Sequence, residues 1–233
     1  MRAYPGGGDA DAGASVRRNA HFGWEAVIVT LLATGPVDGP RLLLAHGAGA
    51  AMDSRWMDDM ATRLGDRGIR VIRFEFAYMA ARRSGSRPPV PRADRVLGEY
   101  RAAWEEAGRP PLIGGKSYGG RVASMVADDL AASGLRGLVC LGYPFHPAGR
   151  PEQPRTAHLA DLATPALICQ GERDPMGTAT DVAGYALSPS ITLSWAPDGD
   201  HDLRPRKAVT GRTHAENLDA AADAVAAFAA RVA

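Results

Sequence analysis

Apolar runs and helical patterns alternate along this chain from Trp24 onward. A strand that is followed by a helix and then by another strand returns to the same sheet in parallel, and the helix covers one face of that sheet. The alternation therefore predicts an α/β fold with a mostly parallel central sheet and helices on both faces. The predicted strands are Ala26–Leu32, Arg41–Ala45, Val71–Phe76, Leu112–Gly114, Gly137–Leu141, Ala166–Gln170 and Thr192–Trp195.

Helices are expected between and after these strands. One predicted helix ends just before Gly68, a residue type that commonly terminates helices. The last helix opens at Thr213, with Glu216 three residues later, which is the spacing of a capping box. The predicted helices are Asp53–Arg67, Arg92–Ala107, Ser117–Ser133 and one from Thr213 onward.

The length of 233 residues suits one α/β domain with a single substantial core, which we assign to residues 23–233. We expect residues 1–22, rich in Gly, Asp and Ala, to be a flexible N-terminal segment. That segment has no apolar stretch of the kind found in a secretory signal, and no part of the sequence approaches a membrane span. We therefore expect a cytoplasmic protein.

The charge balance limits the kinds of partner. Lys and Arg total 27 and Asp and Glu total 26, for a formal net charge of +1, which argues against binding to nucleic acid or to an acidic membrane surface. Cys140 and Cys169 both lie inside apolar runs, so we expect them to be buried and reduced.

The segment Ile113–Arg121, "IGGKSYGGR", surrounds one serine with glycines. Gly115-x-Ser117-x-Gly119 fits a nucleophile elbow, the sharp turn from a strand into a helix that exposes a serine hydroxyl. A plain turn serine is the alternative interpretation. A phosphate-binding loop is excluded by its spacing, because Pro110 stands where the first glycine of that motif is required.

An activated serine needs a base, an acid that orients the base, and donors for the oxyanion. Asp174, in "GERDPMG", follows the strand Ala166–Gln170, and His201, in "APDGDHD", follows the last strand. The resulting order of Ser117, Asp174 and His201 is that of the α/β-hydrolase arrangement. The segment "AHGAGA" after the strand Arg41–Ala45 predicts an oxyanion hole formed by the backbone N–H groups of Ala48 and Tyr118.

The other histidines and acidic residues near these motifs differ from His201 and Asp174 in their position along the chain. We expect His46 to shape the oxyanion loop rather than to act as the base, and His146 and His158 to line the pocket or to be exposed. The position after the strand Gly137–Leu141 reads "GYPFHP" and offers no carboxylate that would replace Asp174. The aspartates around His201 lack the closing glutamate of a calcium loop, so no metal site is expected.

These motifs identify a resemblance to the α/β-hydrolase superfamily that extends from about Trp24 to Val232. Within it, "LLLAHGAGA", "GGKSYGGR" and "GYPFHP" resemble a branch of small bacterial hydrolases, and that branch is similar to a subunit of a eukaryotic histone-acetyltransferase complex. Dienelactone hydrolases are a more distant comparison. The resemblance implies an α/β-hydrolase fold.

Residues that follow strand ends near the elbow are candidates for contact with substrate. Tyr78, Met79, Tyr143 and Phe145 are predicted to bind substrate, with core packing as the alternative. Lys116 either steers anionic substrates or points into the structure, and the group Arg82, Arg83 and Arg87 is either an anion site or a solvated face. Only residues 142–164 separate two predicted strands, and their proline and glycine content predicts little or no cap over the site.

The sequence therefore predicts a serine hydrolase that acts on short, soluble acyl substrates, either esters or thioesters, through an acyl-enzyme on Ser117. We expect a small-molecule acyl substrate as its partner, with no cofactor. The alternative is a non-catalytic binding or scaffold protein on the same fold, as the resemblance to the eukaryotic subunit implies.

Overall fold

The computed structural model describes residues 15–19 and 28–232. Eight strands form one sheet in the order β1-β2-β4-β3-β5-β6-β7-β8. The pairs β1–β2 and β2–β4 are antiparallel, and all the other neighbours are parallel. The strands are β1 Ser15–Asn19, β2 Ile28–Thr34, β3 Arg41–Ala45, β4 Arg70–Phe74, β5 Leu112–Lys116, β6 Gly137–Leu141, β7 Ala166–Gly171 and β8 Ile191–Ala196.

Helices follow most of these strands. They are α1 Arg55–Asp66, α2 Ala77–Arg83, α3 Leu97–Glu106, α4 Tyr118–Ala131, α5 Ala179–Ala183, α6 Lys207–Thr210 and α7 His214–Val232, with short 3-10 turns at Ala93–Arg95 and Ala157–Leu159. Among the helices of the described residues, none is both long enough and apolar enough to span a membrane.

The central strands are apolar at nearly every position because the sheet is buried on both faces. Leu43 on β3 packs with α3 and α4 on one face, whereas Leu42 and Leu44 pack with α1 and α7 on the other. One apolar layer therefore lies on each face of the sheet. Each consists largely of residues that are less than a tenth exposed.

The predicted fold class and strands are confirmed, with differences of at most two residues at strand ends. The predicted helix Arg92–Ala107 is in fact a 3-10 turn followed by α3. The helices α2, α5 and α6 were not predicted because segments of four to seven residues are too short to display helical periodicity.

Within the N-terminal segment of residues 1–22, Ser15–Asn19 form β1 at the edge of the sheet, with Ser15 opposite Leu32. An edge strand needs only backbone pairing, so "SVRRN" carries no apolar alternation that would have predicted it. The rest of that segment, and the first two residues of the predicted strand Ala26–Leu32, lie outside the described residues.

Both cysteines are free and buried, as predicted. Cys140 packs in the layer with α3 and α4, whereas Cys169 packs in the layer with α1 and α7. Burial raises the pKa of both thiols, that of Cys169 to about 12. Thiols of this kind pack as small apolar side chains rather than react.

The segment between β6 and β7 forms only the 3-10 turn Ala157–Leu159 and adds no helical cap to the sheet. The parallel strands β5, β7 and β8 point in the same direction, so the loops that follow them meet at one edge. Loops at the carboxyl ends of parallel strands are where α/β proteins build their sites. Ser117, Asp174 and His201 all lie at this edge.

Candidate active site

Ser117 lies between the last residue of β5 and the first residue of α4. Its backbone has φ 49° and ψ −115°, a conformation that residues other than glycine rarely adopt. The Ser117 N–H donates to the carbonyl oxygen of Leu141 on the neighbouring strand at 3.0 Å. This strained turn projects the hydroxyl above the sheet edge, as a nucleophile elbow does.

Two glycines allow that turn because the backbone around it is crowded. A Cβ atom on Gly119 would lie 2.6 Å from the carbonyl oxygen of His46, and one on Gly115 would lie 2.3 Å from the carbonyl carbon of Gly119. Both contacts are with backbone atoms, which cannot move aside as a side chain can by changing its rotamer. The glycines of "IGGKSYGGR" thus allow β5, α4 and the loop after β3 to approach one another.

The His201 imidazole bridges Ser117 and Asp174. Its Nε2 lies 2.8 Å from the Ser117 Oγ, and its Nδ1 lies 2.7 Å from the Asp174 Oδ2. A carboxylate at Nδ1 favours the tautomer that carries its proton there. Nε2 is then free to accept the proton of the serine hydroxyl.

The Asp174 carboxylate is fully buried but well supplied with donors. Besides His201, the side-chain amide of Gln170 donates to Oδ2 at 2.9 Å, and the Met176 N–H donates to Oδ1 at 2.8 Å. Hydrogen bonds of this kind offset the loss of hydration that a buried charge suffers. They also fix the plane of the carboxylate against the imidazole.

The loop that carries His201 is held by its own aspartates. The Asp200 Oδ1 accepts from the N–H groups of Asp202 and Arg204, both at 2.9 Å. Asp198 accepts from the Arg206 N–H at 2.7 Å and pairs with the side chains of Arg206 and Arg173. These carboxylates therefore hold the fold of the loop that carries His201.

Lys116, next to Ser117, points into the structure. Its Nζ donates to the carbonyl oxygen of His201 at 2.7 Å, lies 3.1 Å from the Asp202 Oδ1 and stands 5.2 Å from the centre of the Trp56 ring. Burial lowers the pKa of Lys116, and the Asp202 carboxylate opposes that shift. Of the two interpretations of Lys116, the structure favours the inward one.

The predicted oxyanion donors lie on either side of Ser117. Ala48 is in the loop after β3 and Tyr118 is the first residue of α4, where backbone N–H groups have no partner within the helix. Within residues 28–232, neither N–H donates to another backbone carbonyl. Both are thus available to a developing oxyanion.

The loop that carries Ala48 is fixed from beneath by two aromatic side chains. The Tyr78 hydroxyl donates to the Ala48 carbonyl oxygen at 3.1 Å. The His46 Nδ1 lies 2.6 Å from the Gly47 carbonyl oxygen, and its Nε2 accepts from the Phe76 N–H at 3.2 Å. Burial lowers the pKa of His46, which favours this neutral tautomer. These contacts agree with the expectation that His46 shapes the loop.

Comparisons with known proteins agree with this fold. A family model described as "Alpha/beta hydrolase domain" matches residues 38–230. The chain belongs to the alpha/beta hydrolase family. Structures similar to this α/β hydrolase include a serine hydrolase without a lid from Xanthomonas campestris, with 19% identity over 98% of each chain and a TM-score of 0.67.

Two further structures show the same fold. The esterase domain of a Rhodothermus marinus protein has 16% identity over 94% of this chain and 98% of its own, with a TM-score of 0.64. A dienelactone hydrolase from Anabaena variabilis has 18% identity over 94% of this chain and 96% of its own, with a TM-score of 0.63. At these identities the likenesses show the fold alone.

Two open cavities of this α/β hydrolase meet at Ser117. The first, of about 810 Å³, extends past Tyr118 towards Met125 and the loop after β6. The second, of about 560 Å³, extends past His201 towards Trp56. Ala48 and Met176 line both cavities. The site therefore has room on both sides of the serine hydroxyl.

The four predicted substrate-binding residues line neither of these two cavities. Tyr78, Met79, Tyr143 and Phe145 are at most 5% exposed and belong to the apolar layer with α3 and α4. The prediction of direct substrate contact is therefore corrected to core packing for these residues. Position at a strand end places a residue at the correct edge but does not determine whether its side chain turns outward.

The predicted basic group does not face the serine either. Arg83 pairs with Asp53 at 2.7 Å and with Glu75 at 2.6 Å, while the Arg82 guanidinium lies 5.3 Å from the centre of the Tyr78 ring. Arg82 and Arg87 line a separate surface cavity of about 400 Å³. The placement favours a solvated face over an anion site at Ser117.

Sequence reasoning missed two residues that support the site. Gln170, the buried polar residue near the end of β7, donates to Asp174 and to the Tyr143 carbonyl oxygen at 3.2 Å. A glutamine at the end of an otherwise apolar strand is a sequence signal that indicates a supporting role for Gln170. Met176 holds Asp174 through its backbone, a role that no sequence pattern indicates.

Proposed function

We propose that this α/β hydrolase is a serine hydrolase that forms an acyl-enzyme on Ser117. The observation that carries the proposal is the unbroken set of hydrogen bonds from Ser117 through His201 to Asp174, at 2.8 and 2.7 Å. A serine with an oriented base, a buried acid and oxyanion donors is the arrangement that activates a hydroxyl for acyl transfer.

In the first half of the proposed reaction, the Ser117 Oγ attacks the substrate carbonyl carbon while the His201 Nε2 takes its proton. The resulting oxyanion accepts hydrogen bonds from the N–H groups of Ala48 and Tyr118. Asp174 stabilises the imidazolium. His201 then gives the proton to the leaving group as the carbonyl re-forms, and the acyl group remains on Ser117.

In the second half, a water molecule loses a proton to His201 and attacks the acyl carbon. The Ser117 Oγ leaves with the proton from His201, and the free acid departs. Every proton moves among the water, His201, the Ser117 Oγ and the leaving atom, which is oxygen in an ester and sulfur in a thioester, so the reaction needs no cofactor. The open cavities give water access to the acyl-enzyme.

We assign esters and thioesters of short, soluble acids as the substrates. Within residues 28–232 no helical cap covers the site, so little apolar surface is present there to bury a long chain. The esterase-domain and dienelactone-hydrolase structures that share this fold support chemistry at a carbonyl carbon. The near-neutral charge supports a small-molecule substrate rather than a nucleic acid or a membrane. The cytoplasmic location remains part of this proposal.

A non-catalytic binding or scaffold role, suggested by the resemblance to a histone-acetyltransferase-complex subunit, is the alternative. The hydrolase proposal predicts turnover of an ester, and the non-catalytic proposal predicts none. Rapid mixing with p-nitrophenyl acetate should give a burst of up to one p-nitrophenolate per enzyme followed by a steady rate, because water removes the acetyl group from Ser117 more slowly than the activated ester delivers it.

Ser117→Ala should abolish both the burst and the steady rate, and Ser133→Ala, at an exposed turn serine, serves as the matched control. A panel of thioesters, lactones and peptides then identifies the preferred bond. Absence of turnover throughout the panel, in a folded protein, would support the non-catalytic role.

A further inference from the structure

Two arginines line the larger cavity beside Ser117. Arg121 lies on the first turn of α4, four residues after the serine, and Arg155 lies in the loop between β6 and β7. Both are half-buried. They approach the cavity from different elements, so their charges converge on one space.

Neither guanidinium has a hydrogen-bond acceptor or a carboxylate partner within residues 28–232, and the Arg121 Nε is buried without a partner. The other charged residues that line the cavity are Arg92 and Asp94, which pair with each other at 3.2 Å. Three arginines against one aspartate leave this cavity with two uncompensated positive charges.

The two charges also act on each other. Partial burial lowers the pKa of Arg155, and the positive charge of Arg121 lowers it further. The pKa of nearby His158 is lowered by burial and then by the same charge. A bound anion would relieve this repulsion, and the planar guanidinium groups suit the two oxygens of a carboxylate.

The position of His201 indicates which part of a substrate enters this cavity. His201 must give a proton to the leaving group, so the leaving group lies on the side of its imidazole. That side is the smaller cavity, which His201 lines together with Trp56. The larger cavity is lined by Tyr118 but not by His201, so it lies on the acyl side.

We propose that the larger cavity binds the acyl part of the substrate and that Arg121 and Arg155 bind a carboxylate at its far end. The side chains of Met125 and Met176 would contact the apolar stem between the two ends. The substrate class is then a monoester or monothioester of a short dicarboxylic acid. This inference rests on the proposed function and names the substrate of the same site.

Two p-nitrophenyl esters with the same six-carbon acyl chain test the inference. One is the hexanoate and the other is the mono-ester of adipate, whose far end carries a carboxylate. For the wild type, kcat/KM should be higher for the adipate ester after the uncatalysed rate is subtracted. Arg155→Gln should lower the ratio of the two values by about tenfold or more, because a charge-assisted hydrogen bond is lost.

Arg121→Gln should lower the same ratio. Because Arg121 is close to the elbow, its substitution can impair folding, and Arg155→Gln then tests the inference alone. Arg87→Gln removes an exposed positive charge outside both cavities and should leave the ratio unchanged. Calorimetry with free adipate adds a readout without turnover. Binding to the wild type should be weakened in both cavity variants.

The possible results separate the two proposals. Turnover of the hexanoate that depends on Ser117, without preference for the adipate ester, overturns the dicarboxylate inference and leaves the hydrolase intact. A preference for a carboxylate on the leaving group, seen with 4-carboxyphenyl against phenyl hexanoate and lost in Arg155→Gln, overturns the acyl-side assignment. Adipate binding that is equal in the wild type and Arg155→Gln also overturns the inference.

Discussion

Lys116 and His201 are joined by a hydrogen bond of 2.7 Å from the lysine Nζ to the backbone carbonyl oxygen of the histidine. Lys116 is the last residue of β5, and His201 lies in the loop after β8, three strands away in the sheet. The contact therefore ties the strand that leads into Ser117 to the loop that carries the proposed base.

Lys116→Met should lower kcat by about tenfold with little change in KM, because small displacements of a catalytic group cost large factors in rate. Steady-state kinetics on p-nitrophenyl acetate measures both constants. Lys207→Met is the matched control, since Lys207 is an exposed lysine on α6. A change in KM alone, with kcat intact, would show that Lys116 acts on substrate binding instead.

Asp174→Asn should leave the fold intact and lower kcat by a factor on the order of 10⁴, because an amide no longer favours the reactive imidazole tautomer. His201→Ala should remove nearly all turnover. Asp181→Asn is the matched control, since Asp181 caps α5 and lies 3.5 Å from the His146 Nε2. Near-wild-type turnover by Asp174→Asn would move the acid to another residue.

The chain order and the strand ends were sufficient to predict which residues meet at Ser117. Parallel strands bring their carboxyl ends to one edge, so a serine, an aspartate and a histidine that follow β5, β7 and β8 become neighbours. The glycines around Ser117 marked the elbow because Gly-x-Ser-x-Gly is a pattern within one segment, although the crowding at Gly119 comes from the carbonyl oxygens of Ala45 and His46.

Side-chain direction was harder to predict. Tyr78 and Phe145 follow strands at the correct edge, yet both are buried in the apolar layer on the face of the sheet that α3 and α4 cover. The inward direction of Lys116 depends on an acceptor in a loop 85 residues away. Such contacts arise from tertiary packing, which no pattern within one segment records.

Gly119→Ala should destabilise the protein by about 1–3 kcal/mol, since the added Cβ would lie 2.6 Å from the His46 carbonyl oxygen and 2.7 Å from that of Ala45. Gly98→Ala on α3 is the matched control, because no atom lies within 4 Å of its added Cβ and alanine favours helix. Urea unfolding compares the two variants. Equal stability of both would contradict the crowding at the elbow.

The absence of a cap predicts the effect of acyl chain length. Each buried CH₂ adds about 0.8 kcal/mol to binding, but an open site buries few of them. The value of kcat/KM for neutral p-nitrophenyl esters should therefore be highest for short chains, without activation at lipid interfaces. A steady rise from acetate to palmitate would indicate an acyl tunnel through residues assigned here to the core.

Labelling with a fluorophosphonate, followed by peptide mass spectrometry, tests whether Ser117 is an activated nucleophile. The reagent requires a serine activated by a base and by oxyanion donors, and Ser117 is proposed to have both. A single adduct on the peptide that contains Ser117, absent in His201→Ala, is the predicted result. An adduct on another serine, or no adduct on the folded wild-type protein, would contradict the account.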